Sequence, residues 1–166
     1  VDFLEVVQGA KKRVTLPGGG ILEINVPEGT TDAQVLRLKG KGQPSRRGGE
    51  AGDALIEIQV RPHDVFRRQG DDILSDLPLT IDEAILGAKI EVPTISGRVQ
   101  LTIPKGTSSG QVFRLRGKGV RSTTTGVTGD QLVTTRIVLP ATIDDGLAYF
   151  LSEWRQKNSY DPGRKG

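Results

Sequence analysis

The sequence has no cysteine, no methionine, one histidine and one tryptophan, and aromatics make up only 4% of its 166 residues. Without cysteine, disulfides and thiolate metal sites are excluded, and a reducing, cytoplasmic setting is the expectation. His63 alone cannot build a multi-histidine metal centre. With no cysteine, a nucleophilic mechanism would need a serine paired with His63. No apolar run approaches the roughly 20 residues of a membrane span. The opening stretch, VDFLEVVQGAKKR, lacks the basic-then-apolar order of a signal peptide. A methionine-free chain beginning at Val1 reads as a fragment or as a chain trimmed ahead of that residue.

What is present is a phrase that occurs twice. VLRLKGKG at Val35–Gly42 returns as VFRLRGKG at Val112–Gly119. VPEGT at Val26–Thr30 returns as IPKGT at Ile103–Thr107, and GDAL returns as GDQL. Gly29 and Gly106, Gly40 and Gly117, and Gly52 and Gly129 all share one offset. EVVQGAK at Glu5–Lys11 matches EAILGAK at Glu83–Lys89 with one residue of slack. Matches in the same order on nearly one offset mark a tandem duplication.

Each copy opens with a capping-box pattern, Asp2–Glu5 and Thr80–Glu83, in which a first side chain accepts from backbone amides and a glutamate reaches back. A short helix follows, with Gly9 or Gly87 as its left-handed C-cap. Alternating apolar residues then predict strands: Val14 and Leu16, a turn through Pro17–Gly20, then Leu22, Ile24 and Val26, answered by Val99, Leu101 and Ile103. Further strands are expected at Leu36–Lys39, Leu55–Val60, Phe113–Arg116 and Leu132–Leu139. From Thr142 the period becomes helical, with Ile143, Leu147, Phe150, Leu151 and Trp154 on one stripe. The expected fold is mainly β: two tandem, small, sandwich-like domains at 1–75 and 76–141, each with a short helix, then a terminal helix and tail at 142–166.

Other features read blandly. GKG lacks the hydroxyl residue and following helix of a phosphate loop, so its glycines are turn glycines. Asp71–Asp72 reads as a hairpin turn with exposed acids. Two basic sets, Arg37, Lys39, Lys41, Arg46 and Arg47 in one copy and Arg114, Arg116, Lys118 and Arg121 in the other, suit a phosphate backbone in kind. They lack interleaved stacking aromatics, however, and alternate with apolar residues as a half-exposed strand requires. Net charge +3 is too small to choose between an acidic and a nucleic-acid partner.

Taken together, EVVQGAKKRVTLP, GDALIEIQVRPHDVFRRQGDDI, LPLTIDEAILGAKIEVPTISGRVQLTIPKGT and FRLRGKGV resemble the C-terminal, client-binding region of DnaJ-type J-domain co-chaperones. The likeness covers nearly the whole chain. It implies two β-rich domains, a terminal dimerising helix and no cofactor. The implied partners are unfolded polypeptides, the acidic C-terminal tail of a DnaK-type chaperone and a second copy of the chain. Three departures matter. The His-Pro-Asp signature of a J domain is missing, so stimulation of a partner ATPase is not expected. The Cys-x-x-Cys-x-Gly-x-Gly repeats are missing too, as in the zinc-free, CbpA-like class, and that likeness adds weak DNA association as an alternative reading. Against the family pattern the chain is also expected to start after the first domain's opening strand, with one wall of the family's groove absent. By alignment the groove runs along Ala10–Leu16, with Val14 and Leu16 facing it, Ile56 on its floor and Lys12 at its rim. The same resemblance implies that Ile143, Leu147, Phe150, Leu151 and Trp154 form the dimer contact.

Overall fold

A computed structural model describes residues 1–15, 19–40, 42 and 52–165. Leu16, Lys41, Arg46 and Arg47, singled out above, lie outside the described residues. The elements run α1 (Phe3–Gln8), β1 (Ala10–Thr15), β2 (Ile21–Val26), β3 (Val35–Leu38), β4 (Ala54–Glu57), β5 (Arg67–Gln69), β6 (Asp72–Leu79), α2 (Ile81–Leu86), β7 (Ala88–Thr94), β8 (Gly97–Ile103), β9 (Val112–Leu115), β10 (Gln131–Ile137) and α3 (Asp145–Lys157). The chain is mainly β. Antiparallel pairs β1–β2, β3–β4 and β7–β8 accompany a four-stranded sheet in the order β5-β6-β10-β9, within which β6 and β10 run parallel.

The duplication repeats down to single hydrogen bonds. Thr30 Oγ1 donates to the Pro27 carbonyl at 2.6 Å, and Thr107 Oγ1 to that of Pro104 at 2.7 Å. Asp53 accepts from the Gly40 amide and pairs with Arg37. Asp130 does the same with Gly117 and Arg114, at 2.9 and 2.6 Å. The Gly42 amide reaches the Gly52 carbonyl just as that of Gly119 reaches Gly129. These aspartates close the basic-glycine turns, and in doing so they engage one arginine of each basic set.

Helix starts diverge from the expected symmetry. Thr80 and Glu83 form a reciprocal capping box, with the Thr80 amide donating to Glu83 Oε1 at 2.9 Å. Asp2 caps nothing with its side chain. Its carboxylate faces Arg61 at 3.5 Å, and Glu5 turns away to Lys12. Nor are Gly9 and Gly87 left-handed helical caps: φ is 82° and 81°, but ψ is 148° and 159°. That extended, positive-φ region is open essentially to glycine alone, and it sends the chain straight from helix into strand. A Cβ on Gly87 would lie 2.9 Å from the Ile103 carbonyl oxygen.

Two apolar cores result. One gathers Phe3, Val6, Val26, Ile58, Phe66, Ile73 and Val120; the other gathers Leu77, Leu79, Ala84, Val92, Ile103 and Val133. Strand β6 lies across the 75/76 position, sending Ile73 into the first core and Leu77 and Leu79 into the second. Val120 belongs by sequence to the second copy, yet it is fully buried in the first core. The hairpin turn at Asp71–Asp72 serves this junction. Both acids are half-buried rather than exposed. The Asp71 carbonyl accepts from the Val120 amide at 2.7 Å, and Asp72 Oδ1 accepts from the Asp130 amide at 2.8 Å. Arg68, on β5 of the four-stranded sheet, donates to the Thr30 and Gly29 carbonyls at 2.8 and 3.0 Å and so holds the Gly29 turn against that sheet.

His63 has a structural task. Its Nδ1 accepts from the backbone amides of Val65 and Phe66, and its ring lies 4.9 Å from that of Phe66 and 5.9 Å from that of Phe3.

Candidate functional site

Strand β1 follows Gly9 without a loop, and its alternation places Ala10, Lys12 and Val14 on one face, half-buried, with Lys11, Arg13 and Thr15 exposed on the other. Pairing with β2 sets Lys12 opposite Ile24 and Val14 opposite Leu22. In the neighbouring hairpin Ile56 sits opposite Leu36. Lys12, Val14, Ile24, Val26, Ile56 and Ile58 thereby line one cleft of about 230 Å³. Ile24, Val26 and Ile58 are buried and form a dry floor. Ile56 packs against the first core from its edge.

Among the described residues, β1 has a single strand partner, β2, and β4 a single one, β3. Both leave a backbone edge beside the cleft. In the second copy the equivalent edge of β10 is covered by β6 over Ile73–Leu79. Uncovered edges offer main-chain hydrogen bonds to any extended segment, and the alternate apolar side chains offer it grip.

The cleft thus brings together three of the four residues expected there. Ile24, Val26 and Ile58 were not singled out beforehand, because alternation alone cannot tell a cleft floor from ordinary core. Glu5 was expected at the helix cap, not beside the cleft. Its Oε2 lies 2.7 Å from Lys12 Nζ and has no other hydrogen-bonding partner among the described residues.

A larger apolar groove, about 720 Å³, lies between α2, the end of β10 and α3. Leu79, Ile85, Leu86, Leu139, Leu147 and Phe150 line it. Ile143 precedes α3 rather than lying in it, because Asp144 is the N-cap and accepts from the Leu147 amide at 2.7 Å. No residue of α3 is buried. Phe150 is 61% exposed, Leu151 44% and Trp154 41%, so the stripe is uncovered in a single chain. The exposed pair Ile85–Leu86 was the sequence signal for this groove, since a two-turn helix does not need apolar residues there to fold.

Within the basic sets, Arg37 and Arg114 are committed to Asp53 and Asp130. The Gly117 amide and the Arg114 guanidinium hold the Asp130 carboxyl below the usual carboxylate range. Among the described residues no group of three or more His, Asp or Glu side chains comes together, and no helix is long and apolar enough to cross a membrane.

Comparison with known proteins identifies the family of the chain. The model of the DnaJ C-terminal domain matches residues 1–140. The chain belongs to the DnaJ C-terminal domain family. Its relatives include the chaperone protein DnaJ of Ruminiclostridium cellulolyticum, 39% identical over 140 residues that cover 84% of this chain and 37% of the relative. The chaperone protein DnaJ of Bacillus velezensis is 45% identical over 124 residues, 75% of this chain and 33% of the relative. That of Brevibacillus choshinensis is 41% identical over 145 residues, 87% and 39% respectively. The chain therefore spans between a third and two fifths of the length of these relatives. The family match ends before α3 begins, so the helix stands on its own geometry.

Proposed function

We propose that this chain is the polypeptide-binding part of a DnaJ-type co-chaperone, not an enzyme, and that it holds extended, non-native segments in the cleft beside β1. The observation that carries this reading is the meeting of Lys12, Val14 and Ile56 around one apolar cleft with uncovered strand edges on either side. Backbone pairing would make binding indifferent to client sequence, and Val14 and Ile56 would favour apolar residues at alternate positions. Lys12 would add a preference for an acidic neighbour, including an acidic tail on a DnaK-type partner. Two copies joined through α3 would present two clefts, which strengthens capture of a long client by raising the effective concentration of the second contact.

The test is suppression of aggregation of a chemically unfolded client. Val14 is half-buried and lies outside both cores, so Val14→Asp should fold, as circular dichroism and thermal melting will check. An aspartate in the apolar cleft should abolish suppression. Full activity in a folded Val14→Asp variant would remove client binding from β1.

A further inference from the structure

The two copies diverge at one pair of positions beside the cleft. In the second copy Glu83 returns its carboxylate to the Thr80 amide, completing the cap of α2, and the residue three after Gly87 is Ile90, which packs on the second core. In the first copy the matching glutamate, Glu5, leaves α1 without a side-chain cap. It places Oε2 2.7 Å from Lys12 Nζ, three residues after Gly9. Side-chain exposure is 27% for Glu5 and 41% for Lys12, so the contact is partly shielded from water at the wall of the cleft.

From this geometry we infer that Glu5 is a built-in competitor for acidic peptides: its carboxylate occupies the site on Lys12 that an acidic side chain in the cleft would take. This rests on the β1 cleft being the peptide site. A carboxylate carried on the next element is present at high effective concentration, so an incoming one must displace it before gaining the ion pair. Apolar segments bear no such penalty, because Val14, Ile24 and Ile56 remain available to them. Glu5 therefore sets specificity: it keeps the cleft reading apolar pattern first and charge second, and it prevents acidic surfaces from blocking the cleft.

The experiment uses two fluorescent apolar peptides that differ by one Glu-to-Gln exchange, titrated against the wild type, Glu5→Gln, Lys12→Met and the double variant. Wild type should prefer the acidic peptide by no more than about twofold, because Glu5 holds the Lys12 preference down. Glu5→Gln, which keeps a polar side chain of the same size, should bind the acidic peptide roughly threefold to fivefold more tightly, as suits a partly exposed ion pair. The neutral peptide should be unaffected. The gain should shrink as salt is raised and vanish in the double variant. Equal changes for both peptides, or none for the acidic one, would overturn the role of Glu5 while leaving the cleft intact. Failure of the neutral peptide to bind wild type and Glu5→Gln alike would overturn the cleft as a peptide site, and the role of Glu5 with it.

Discussion

Val120→Ala is the sharpest probe of how the two copies are joined. Val120 is fully buried, and although it follows the second copy's glycine turn, its side chain lies in the core built on α1. Removing two methyl groups forfeits about 0.8 kcal/mol of transfer free energy each. The cavity left behind raises the loss to about 2–3 kcal/mol. For a chain of this size that corresponds to a melting temperature lower by roughly 5–10 °C. Hydrogen exchange read by mass spectrometry locates the damage. Amides of α1, Phe3–Gln8, should lose protection by about 30-fold to 100-fold, despite lying more than a hundred residues away in sequence. Val133→Ala is the matched control: the same chemical change at a fully buried site, but in the second core, where Ala84 of α2 is the reporter. If Val120→Ala leaves α1 fully protected while α2 and β10 open, the shared core is wrong and the copies stand independently.

Other predictions follow from comparing the copies position by position. Ala33 holds φ at 64°, whereas its counterpart, Gly110, has φ 83°. Ala33→Gly should therefore stabilise by roughly 0.5 kcal/mol, because relief of left-handed strain of about 1–2 kcal/mol exceeds the extra freedom given to the unfolded chain; a drop in the urea midpoint would contradict this. A Cβ on Gly129 would collide with the Asp71 carbonyl, whereas one on its counterpart Gly52 meets nothing within 4 Å among the described residues. Gly129→Ala should thus cost about 1–3 kcal/mol and Gly52→Ala close to nothing in denaturant titrations. The Asp130 carboxyl titrates below its unfolded range, chiefly because the Gly117 amide and then Arg114 stabilise its charged form. Its contribution is present above the unfolded pKa and is lost as pH falls through the folded one, so Asp130→Asn should flatten the acid limb of the stability–pH curve and leave its neutral-to-alkaline shape unchanged. Trp154→Ala, or truncation after Pro140, should shift the chain towards a folded monomer at micromolar concentration in sedimentation; a truncated chain that stays dimeric places the contact elsewhere.

Much of this architecture was legible because duplication supplies an internal comparison. The glycine turns, the Thr80 capping box and the alternation of β1, β2, β7 and β8 each rest on residues within a few positions of one another. What remained hidden depends on contacts across the copies. The parallel pairing of β6 with β10 joins segments 58 positions apart in register, from Ile73 with Gln131 to Leu79 with Ile137, and nothing local announces it. The place of Val120 in the first core was not legible either, since it depends on packing between the copies and not on its neighbours in sequence. The Asp2–Glu5 motif fits a capping box letter for letter, yet Lys12 draws Glu5 away, because an ammonium across the helix–strand corner outcompetes a backbone amide for a carboxylate. In the cleft, Val14 and Lys12 stood out by alternation and resemblance, whereas Ile24, Val26 and Ile58 look like core in sequence and are core that happens to be reachable.

The most direct test of the cleft is a chemical-shift map of the isotopically labelled chain titrated with an unfolded, apolar client segment. Amides of Ala10–Thr15 and of Ile56 and Ile58 should move together along one binding isotherm, with those of β7 and β8 still. Shifts confined to the groove around Ile85, Leu139 and Phe150, or none at saturating client, would contradict client binding beside β1.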